Sequence, residues 1–426
     1  MTRTIVVEHL ARIEGHAGIT VNVDDREVTD VRFDIFEGIR LFEGLVRGHD
    51  VAEVPGIVSR ICAICSHGHA ITALRALERA LHVEVSPQSV RLRELAFHGA
   101  AIESHALHVF CLALPDFLQQ ASVIEMAAAD PDTVRTALRL KKLGNTIQEI
   151  VGGRAVHPVN YVIGGFGRLP STDDLLRLRT DLNIGLEDCS QVLRVLQGVE
   201  VPVFAAEPIR FAALVPDLDS YFFGETIRLH DGELVPVEAY RSVTRERSIP
   251  HSTARHSMAE RPYMVGALAR LALNGDRIDG RALEAWATLG PAAPLRNVVM
   301  NDIAQVIEVI YSIEHALELV ERVLRDGLVA EAPAPFERRA GAAAAASEVP
   351  RGILFHQYEI DAAGRIAAAD VVTPTAQNCA HVEEQFRAAT RQSDGVADED
   401  LRHRLEIIAR AYDPCVSCSV HVVRAG

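Results

Sequence analysis

The sequence predicts a mainly α protein with small antiparallel β-sheets (α+β), built on a core bundle of long helices. Three observations carry that prediction. Apolar residues recur at steps of three and four over two long stretches. The first 40 residues run apolar or alternate as strands do. Two later segments centre on the turn pairs Asp231-Gly232 and Ala363-Gly364, as hairpins do.

Residues 1–40 read as a β-meander of Ile5–His9, Gly18–Val23 and Val28–Phe36, with a turn at Asp24-Asp25. Residues 41–330 read as mostly helical. Ala70–Leu81 and Pro87–Leu114 carry apolar residues at helical spacing, and Pro115 is expected to end the second. Leu175, Leu178, Leu182, Leu186, Cys189, Leu193 and Leu196 form one stripe, with Ser171 as N-cap and Asp174 three residues on. Val299, Ile303, Val306, Ile310, Ile313, Leu317, Val320 and Leu324 form another. Both stripes read as bundle core rather than a cofactor box. A hairpin joins Thr226–Leu229 to Glu233–Val237. Residues 330–350, with Pro333, Pro335 and Ala342–Ala346, read as a loop or linker, the alanines alternatively as a short helix. Residues 351–421 hold a second hairpin, Ile353–Ile360 with Ile366–Val372, then a helix and a C-terminal cysteine segment.

Of the 426 residues, 43 are Lys or Arg and 58 are Asp or Glu, a net charge of −15. That balance excludes nucleic acid or an anionic membrane as the main partner, since both need a basic face. The longest run free of Asp, Glu, Lys and Arg is 14 residues, Ile61–Leu74. A spanning helix needs about 20 apolar residues, so no transmembrane segment is expected. The N-terminus lacks the charged and apolar regions of an export signal, which fits a cytoplasmic address.

Seven cysteines are too few and too odd for a disulfide scaffold. Cys111, Cys189 and Cys379 stand alone and read as small buried hydrophobes. Cys62 and Cys65 form one C-x-x-C, and Cys415 and Cys418 another, with 349 residues between Cys65 and Cys415. A zinc knuckle separates its pairs by about 15–20 residues. If these pairs share a metal, the fold must bring distant parts of the chain to one point, and 1–426 is a single unit. Length alone would suggest about three domains. Four thiolates cannot be buried without divalent metal and neighbouring donors. Arg60, His67 and His69 flank the first pair; Asp413, Pro414 and His421 flank the second. The run Arg12-Ile13-Glu14-Gly15-His16 sits between two strands, where a lone Glu would ordinarily be solvated.

Together, Arg60-Ile-Cys62-Ala-Ile-Cys65 with His69, Asp413-Pro-Cys415-Val-Ser-Cys418 with His421, and Arg12-Ile-Glu14-Gly-His16 resemble the large subunit of nickel–iron hydrogenases. The resemblance runs from residue 12 to residue 421. Phe42-Glu43, Ser104-His105 with His108, Pro350-Arg351-Gly352 and Thr373-Pro374-Thr375-Ala376-Gln377-Asn378 match as well.

The resemblance implies a catalytic subunit that cleaves H2 reversibly and heterolytically. It implies that Cys62, Cys65, Cys415 and Cys418 hold nickel, with Cys65 and Cys418 also bridging to an iron that carries carbon monoxide and cyanide. It assigns Arg351 to a guanidinium over the open metal position, with Asp413 as its partner. Thr375 would donate to a cyanide, Pro374 would line the same pocket, and His69 would lie beside the other cyanide; His67 reads as structural. Glu14 would carry the proton away. Glu43 and His421 would bind magnesium, with the Val371 carbonyl as a third ligand. Two departures stand out: Ala63 replaces a frequent glycine, and Ser104 stands where respiratory members place a second acid beside the arginine. Residues 422–426 resemble the extension that a maturation protease removes, leaving a chain that ends at His421.

The Cys418-Ser-Val-His421-Val-Val-Arg ending most resembles the cytoplasmic, bidirectional NAD(P)-linked, sulfhydrogenase-like group. That implies a small subunit with iron–sulfur clusters, and diaphorase subunits carrying flavin (FAD or FMN) and further clusters. The chain itself has no G-x-G-x-x-G after a strand and no G-x-x-x-x-G-K to hold a nucleotide. Three alternatives remain open here. One is a non-catalytic relative like the quinone-site subunit of complex I, which lacks the four cysteines. Another is a four-thiolate zinc scaffold. The third is an energy-converting, membrane-associated hydrogenase.

Overall fold

The computed structural model describes residues 2–25, 27–38, 41–217, 220–257, 261–290, 295–393 and 395–420. Its helical core contains α1 (Ser66–Leu81), α2 (Pro87–Leu107), α3 (Pro131–Gly152), α4 (Thr172–Leu196) and α5 (Met300–Asp326). α6 (Pro374–Arg391) and α7 (Asp398–Ala411) follow. α2 packs on α3 and α5, and α4 packs on α3 and α5. The starts are written in local chemistry. Ser86 and Asp130 accept from the backbone nitrogens of Ser89 and Thr133, each with proline just inside the helix. Ser171 and Asp174 form the capping box at the start of α4. The stripes face inward: Leu175, Leu178, Leu182, Ile303, Ile310 and Val320 are buried.

α2 and α3 approach until their backbones touch. A Cβ on Gly144 would lie 2.5 Å from the Gly99 carbonyl oxygen and would collide with the backbone nitrogen of Glu103. Pro115 does not end the second predicted helix. The chain passes from α2 through a π-helical segment, His108–Ala113, and resumes as Leu114–Phe117 with Pro115 in its first turn. The wider π-helical turn before it makes the place where the ring is accommodated.

The N-terminal strands β1 (Thr2–Val7), β2 (Ala17–Asp24) and β3 (Glu27–Ile35) form the antiparallel meander, with Ile5 opposite Val21 and Ile19 opposite Phe33. β4 (Ala212–Val215), β5 (Thr226–Leu229) and β6 (Leu234–Pro236) form a small sheet around the Asp231-Gly232 turn. β7 (Glu246–Ile249) and β8 (Ser252–Ser257) then extend the meander to five strands, β8 pairing parallel with β3. No sequence signal marks that addition.

The third sheet, β9 (Gly341–Val349), β10 (Gly352–Ile360) and β11 (Ile366–Val372), is antiparallel and includes the second predicted hairpin. It also corrects a reading. Residues 341–349 are neither linker nor helix; Ala342–Ala346 pair along β10 as a strand. The reason is tertiary. β9 lies on α1, so close that a Cβ on Gly68 would stand 2.5 Å from Val349 Cγ1. Small side chains permit that approach, and ladder bonds with burial outweigh alanine's helix preference, the highest of any residue but worth only about 1 kcal/mol or less per position.

A large hydrophobic cluster runs through these layers, and all four paired cysteines belong to it. Among the described residues, no helix is long and apolar enough to cross a membrane.

Candidate metal centre

Four sulfurs meet where α1 begins. Cys65 is the residue that caps α1, and Cys62 lies three residues earlier. Cys415 caps a short helix, Val416–Ser419, which carries Cys418. The four Sγ atoms all lie within 4.8 Å of one another, and all four residues are buried. Cys62 Sγ is 3.3 Å from Cys415 Sγ, and Cys415 Sγ is 2.7 Å from Cys418 Sγ.

The electrostatics are uneven. Hydrogen bonds from Cys415 and Cys418, with the Arg351 charge beyond them, hold the Cys65 thiol well below its ordinary range. Burial pushes Cys415 and Cys418 well up. Thus the pocket cannot ionise four thiols together unaided. A soft, cationic metal is what such a donor set fits.

Arg351 is the nearest fixed cation. Its Nε donates to the Asp413 carbonyl at 2.7 Å and its Nη2 to the Asp413 carboxylate at 2.8 Å. Nη1 lies 3.4 Å from Cys65 Sγ and 3.3 Å from Ser104 Oγ. Burial opposes the guanidinium charge, but Asp413 and the cysteines outweigh it and hold the group well above its usual value. Gly352 turns the chain from Arg351 into β10 at φ +130°, with no room for a side chain against Val265. Asp413, itself at φ +50°, also accepts from Gln305 Nε2 at 3.2 Å.

Glu14 reaches the centre from between β1 and β2. Its backbone bridges to Cys415, and its carbonyl accepts from Val416 N at 3.0 Å. Its carboxylate accepts from Ser417 N at 3.0 Å and from the Ser417 hydroxyl. The side chain is half-buried. Arg12, two residues earlier, pairs with Asp116 and pins the loop.

Thr375 and Pro374 open α6 beside the second pair. The Thr375 hydroxyl accepts from Cys415 N at 3.0 Å, which leaves its own hydrogen to donate. His69 Nε2 lies 3.8 Å from Cys418 Sγ, and burial pushes this imidazole down to about 4. His67 is engaged elsewhere, with Tyr161 at 2.7 Å and the Arg154 carbonyl at 3.0 Å.

Glu43 stands in the short helix Phe42–Val46 and accepts from the Val371 backbone nitrogen at 3.0 Å. These two residues are therefore together. His421 and the tail 422–426 lie outside the described residues. The structure adds groups that no motif announces: Gln305 behind Asp413, Ser417 on Glu14, and His356, 3.1 Å from His69. Gln305 is a single polar residue inside an apolar run, His356 opens the polar stretch of β10, and Ser417 is a spacer within C-x-x-C.

A helical core that buries four soft donors under one arginine has the donor set of a metal-binding protein. The sequence profile described as Nickel-dependent hydrogenase matches residues 40–143 and 261–421, and one described as HoxL-like matches residues 4–37. Sulfhydrogenase 1 subunit alpha of Pyrococcus furiosus is 36% identical over 422 residues, covering 99% of this chain and 98% of that one. The NAD-reducing hydrogenase HoxS subunit beta of Cupriavidus necator is 27% identical over 475 aligned positions, covering 99% and 96%. The crystal structure of an NAD+-reducing [NiFe]-hydrogenase in the H2-reduced state superposes with a TM-score of 0.87 at 25% identity, covering 98% and 99%. The Ni-Fe-Se hydrogenase of D. vulgaris Hildenborough shares the fold, with a TM-score of 0.82. The chain belongs to the nickel-dependent hydrogenase family, as its large subunit, and is an oxidoreductase acting on H2.

Proposed function

We propose that this chain cleaves H2 reversibly and heterolytically at a nickel–iron centre held by Cys62, Cys65, Cys415 and Cys418. The observation that carries the reading is the four-sulfur cluster with Arg351 over Cys65. When bound, a nickel–iron pair supplies the Lewis-acid and redox chemistry for splitting H2. The four thiolates would hold it, with Cys65 and Cys418 as the sulfurs shared with iron. Two divalent metals would balance four thiolates, and two cyanides on iron, with carbon monoxide, would leave net negative charge beside Arg351. The Arg351–Asp413 pair answers that charge and keeps the guanidinium in place. The Thr375 hydroxyl hydrogen is available to a cyanide, with Pro374 lining its pocket. Glu14 takes up the proton at its carboxylate and, being half-buried, passes it outward. Glu43, the Val371 carbonyl and His421 would hold a magnesium ion, and Glu43 already stands against Val371.

In this reading a small subunit with iron–sulfur clusters receives the electrons. Flavin-bearing diaphorase subunits pass them to NAD(P) in a cytoplasmic assembly, and a maturation protease removes residues 422–426. The support is the likeness to relatives called sulfhydrogenase and NAD-reducing hydrogenase. Metal analysis and infrared spectroscopy of the protein purified from its host with its partners test the centre. Nickel with iron and metal-bound carbon monoxide and cyanide stretches are expected. Zinc without those bands would replace this reading with the four-thiolate scaffold.

A further inference from the structure

Behind the Cys418 sulfur runs a buried chain of hydrogen bonds. His69 Nε2 lies 3.8 Å from Cys418 Sγ. His69 Nδ1 lies 3.1 Å from His356 Nε2, and His356 Nδ1 lies 2.7 Å from the Tyr358 hydroxyl. All three side chains are buried. His356 and Tyr358 stand two residues apart on β10, hence on one face of it, and α1 brings His69 against that face.

The direction of every bond follows from counting hydrogens. A phenol carries one, and each imidazole nitrogen carries at most one. Among the described residues, the Tyr358 hydroxyl bonds to His356 alone. Its hydrogen therefore goes to His356 Nδ1, since a buried donor left without an acceptor is costly. His356 Nδ1 then accepts, so the one hydrogen between the two rings sits on His356 Nε2. His69 Nδ1 accepts it, and the hydrogen of His69 stands on Nε2, facing Cys418. The opposite polarity, with the Cys418 thiol donating to His69, reverses each link and strands the Tyr358 hydrogen. A doubly protonated ring at either histidine strands it too.

We propose that Tyr358 and His356 are positioning residues that lock His69 in its Nε2–H tautomer and aim that hydrogen at the Cys418 sulfur. A donor there draws charge from the thiolate and weakens its donation to metal. Only this effect on the centre rests on the nickel–iron reading; the tautomer stands on the chain's own geometry.

Tyr358→Phe keeps the ring and removes the hydroxyl. The first measurement is the nitrogen-15 spectrum of the full-length, metal-free chain with labelled histidine. The His69 signals are assigned by their loss in His69→Gln. The parent should show a protonated Nε2 and an unprotonated Nδ1 at His69, and Tyr358→Phe should move both signals toward a tautomer mixture. In the assembled enzyme, Tyr358→Phe should shift the carbon monoxide and cyanide stretches while nickel and iron content stay unchanged. A parent His69 protonated at Nδ1, or signals unmoved in Tyr358→Phe, overturns the proposal. Unmoved infrared bands beside moved nitrogen signals overturn the effect on the centre. A parent enzyme without such bands overturns the nickel–iron reading instead, and the nitrogen spectra still decide the tautomer.

Discussion

Glu14 is attached to the centre twice, by its backbone to Cys415 and Val416 and by its carboxylate to Ser417. The backbone attachment does not depend on the side chain. Glu14→Gln should therefore leave the loop and the metal content intact, because Gln still accepts from Ser417 N. What it removes is a titratable oxygen. Hydrogen oxidation is expected to fall by about two to four orders of magnitude, the range for a lost general acid–base group. Unchanged turnover at unchanged nickel content would remove Glu14 from the proton route. At this scale, motif residues were the most legible part of the protein. Cys62, Cys65, Cys415, Cys418, Arg351 and Asp413 stand together as their flanking patterns imply. Gln305 and His356 were not legible, because their partners Asp413 and His69 lie 108 and 287 positions away in the sequence.

Among the elements, α2 and α3 approach until backbone meets backbone. Gly144→Ala would place a methyl group against the Gly99 carbonyl and the Glu103 backbone, neither of which can rotate aside. The helices must separate, at about 1–3 kcal/mol by the usual scale of overpacking. A lower thermal midpoint is expected, together with poorer metal loading, since α2 also carries Ser104 beside Arg351. An unchanged midpoint would mean the helices already have slack there. α4, with its capping box and stripe, and α5, with its stripe alone, were readable from sequence. β9 was not. Its five alanines carry no strand signature, and what makes them a strand is the neighbouring α1 surface and the β10 ladder. β8 escaped notice because its link to β3 is a parallel pairing between distant segments.

Across the whole molecule, a buried ion network ties helices to sheets. Arg270 donates to Glu308 on α5 at 2.6 Å and to Glu348 on β9 at 2.8 Å, and Glu308 also meets His105 of α2 at 3.0 Å. Burial raises the Glu308 carboxyl, but the Arg270 charge and hydrogen bonds outweigh it and bring it from 4.5 to about 2. The folded value lies below the unfolded one, so this contribution is present above the unfolded value and is lost as pH falls towards the folded one. Its size is about 3 kcal/mol. Denaturant midpoints should therefore drop between about pH 4.5 and pH 2. Glu308→Gln should show lower stability near neutral pH and a shallower drop over that interval. An equal drop in the variant would assign the acid sensitivity to other carboxyls.

The meeting of Cys62 with Cys415, 353 positions apart in the sequence, sets an order of events in the life of the molecule. A ribosome delivers the first pair of sulfurs, and the Glu14 loop before it, long before the second pair exists. While synthesis is under way, that early segment can offer a metal only two of its four ligands. The four-sulfur centre is thus complete only once the segment with Cys415 and Cys418 has been made and docks beside Glu14. A fragment that stops just short of Cys415 lacks two of the four sulfurs and should bind no metal at this point.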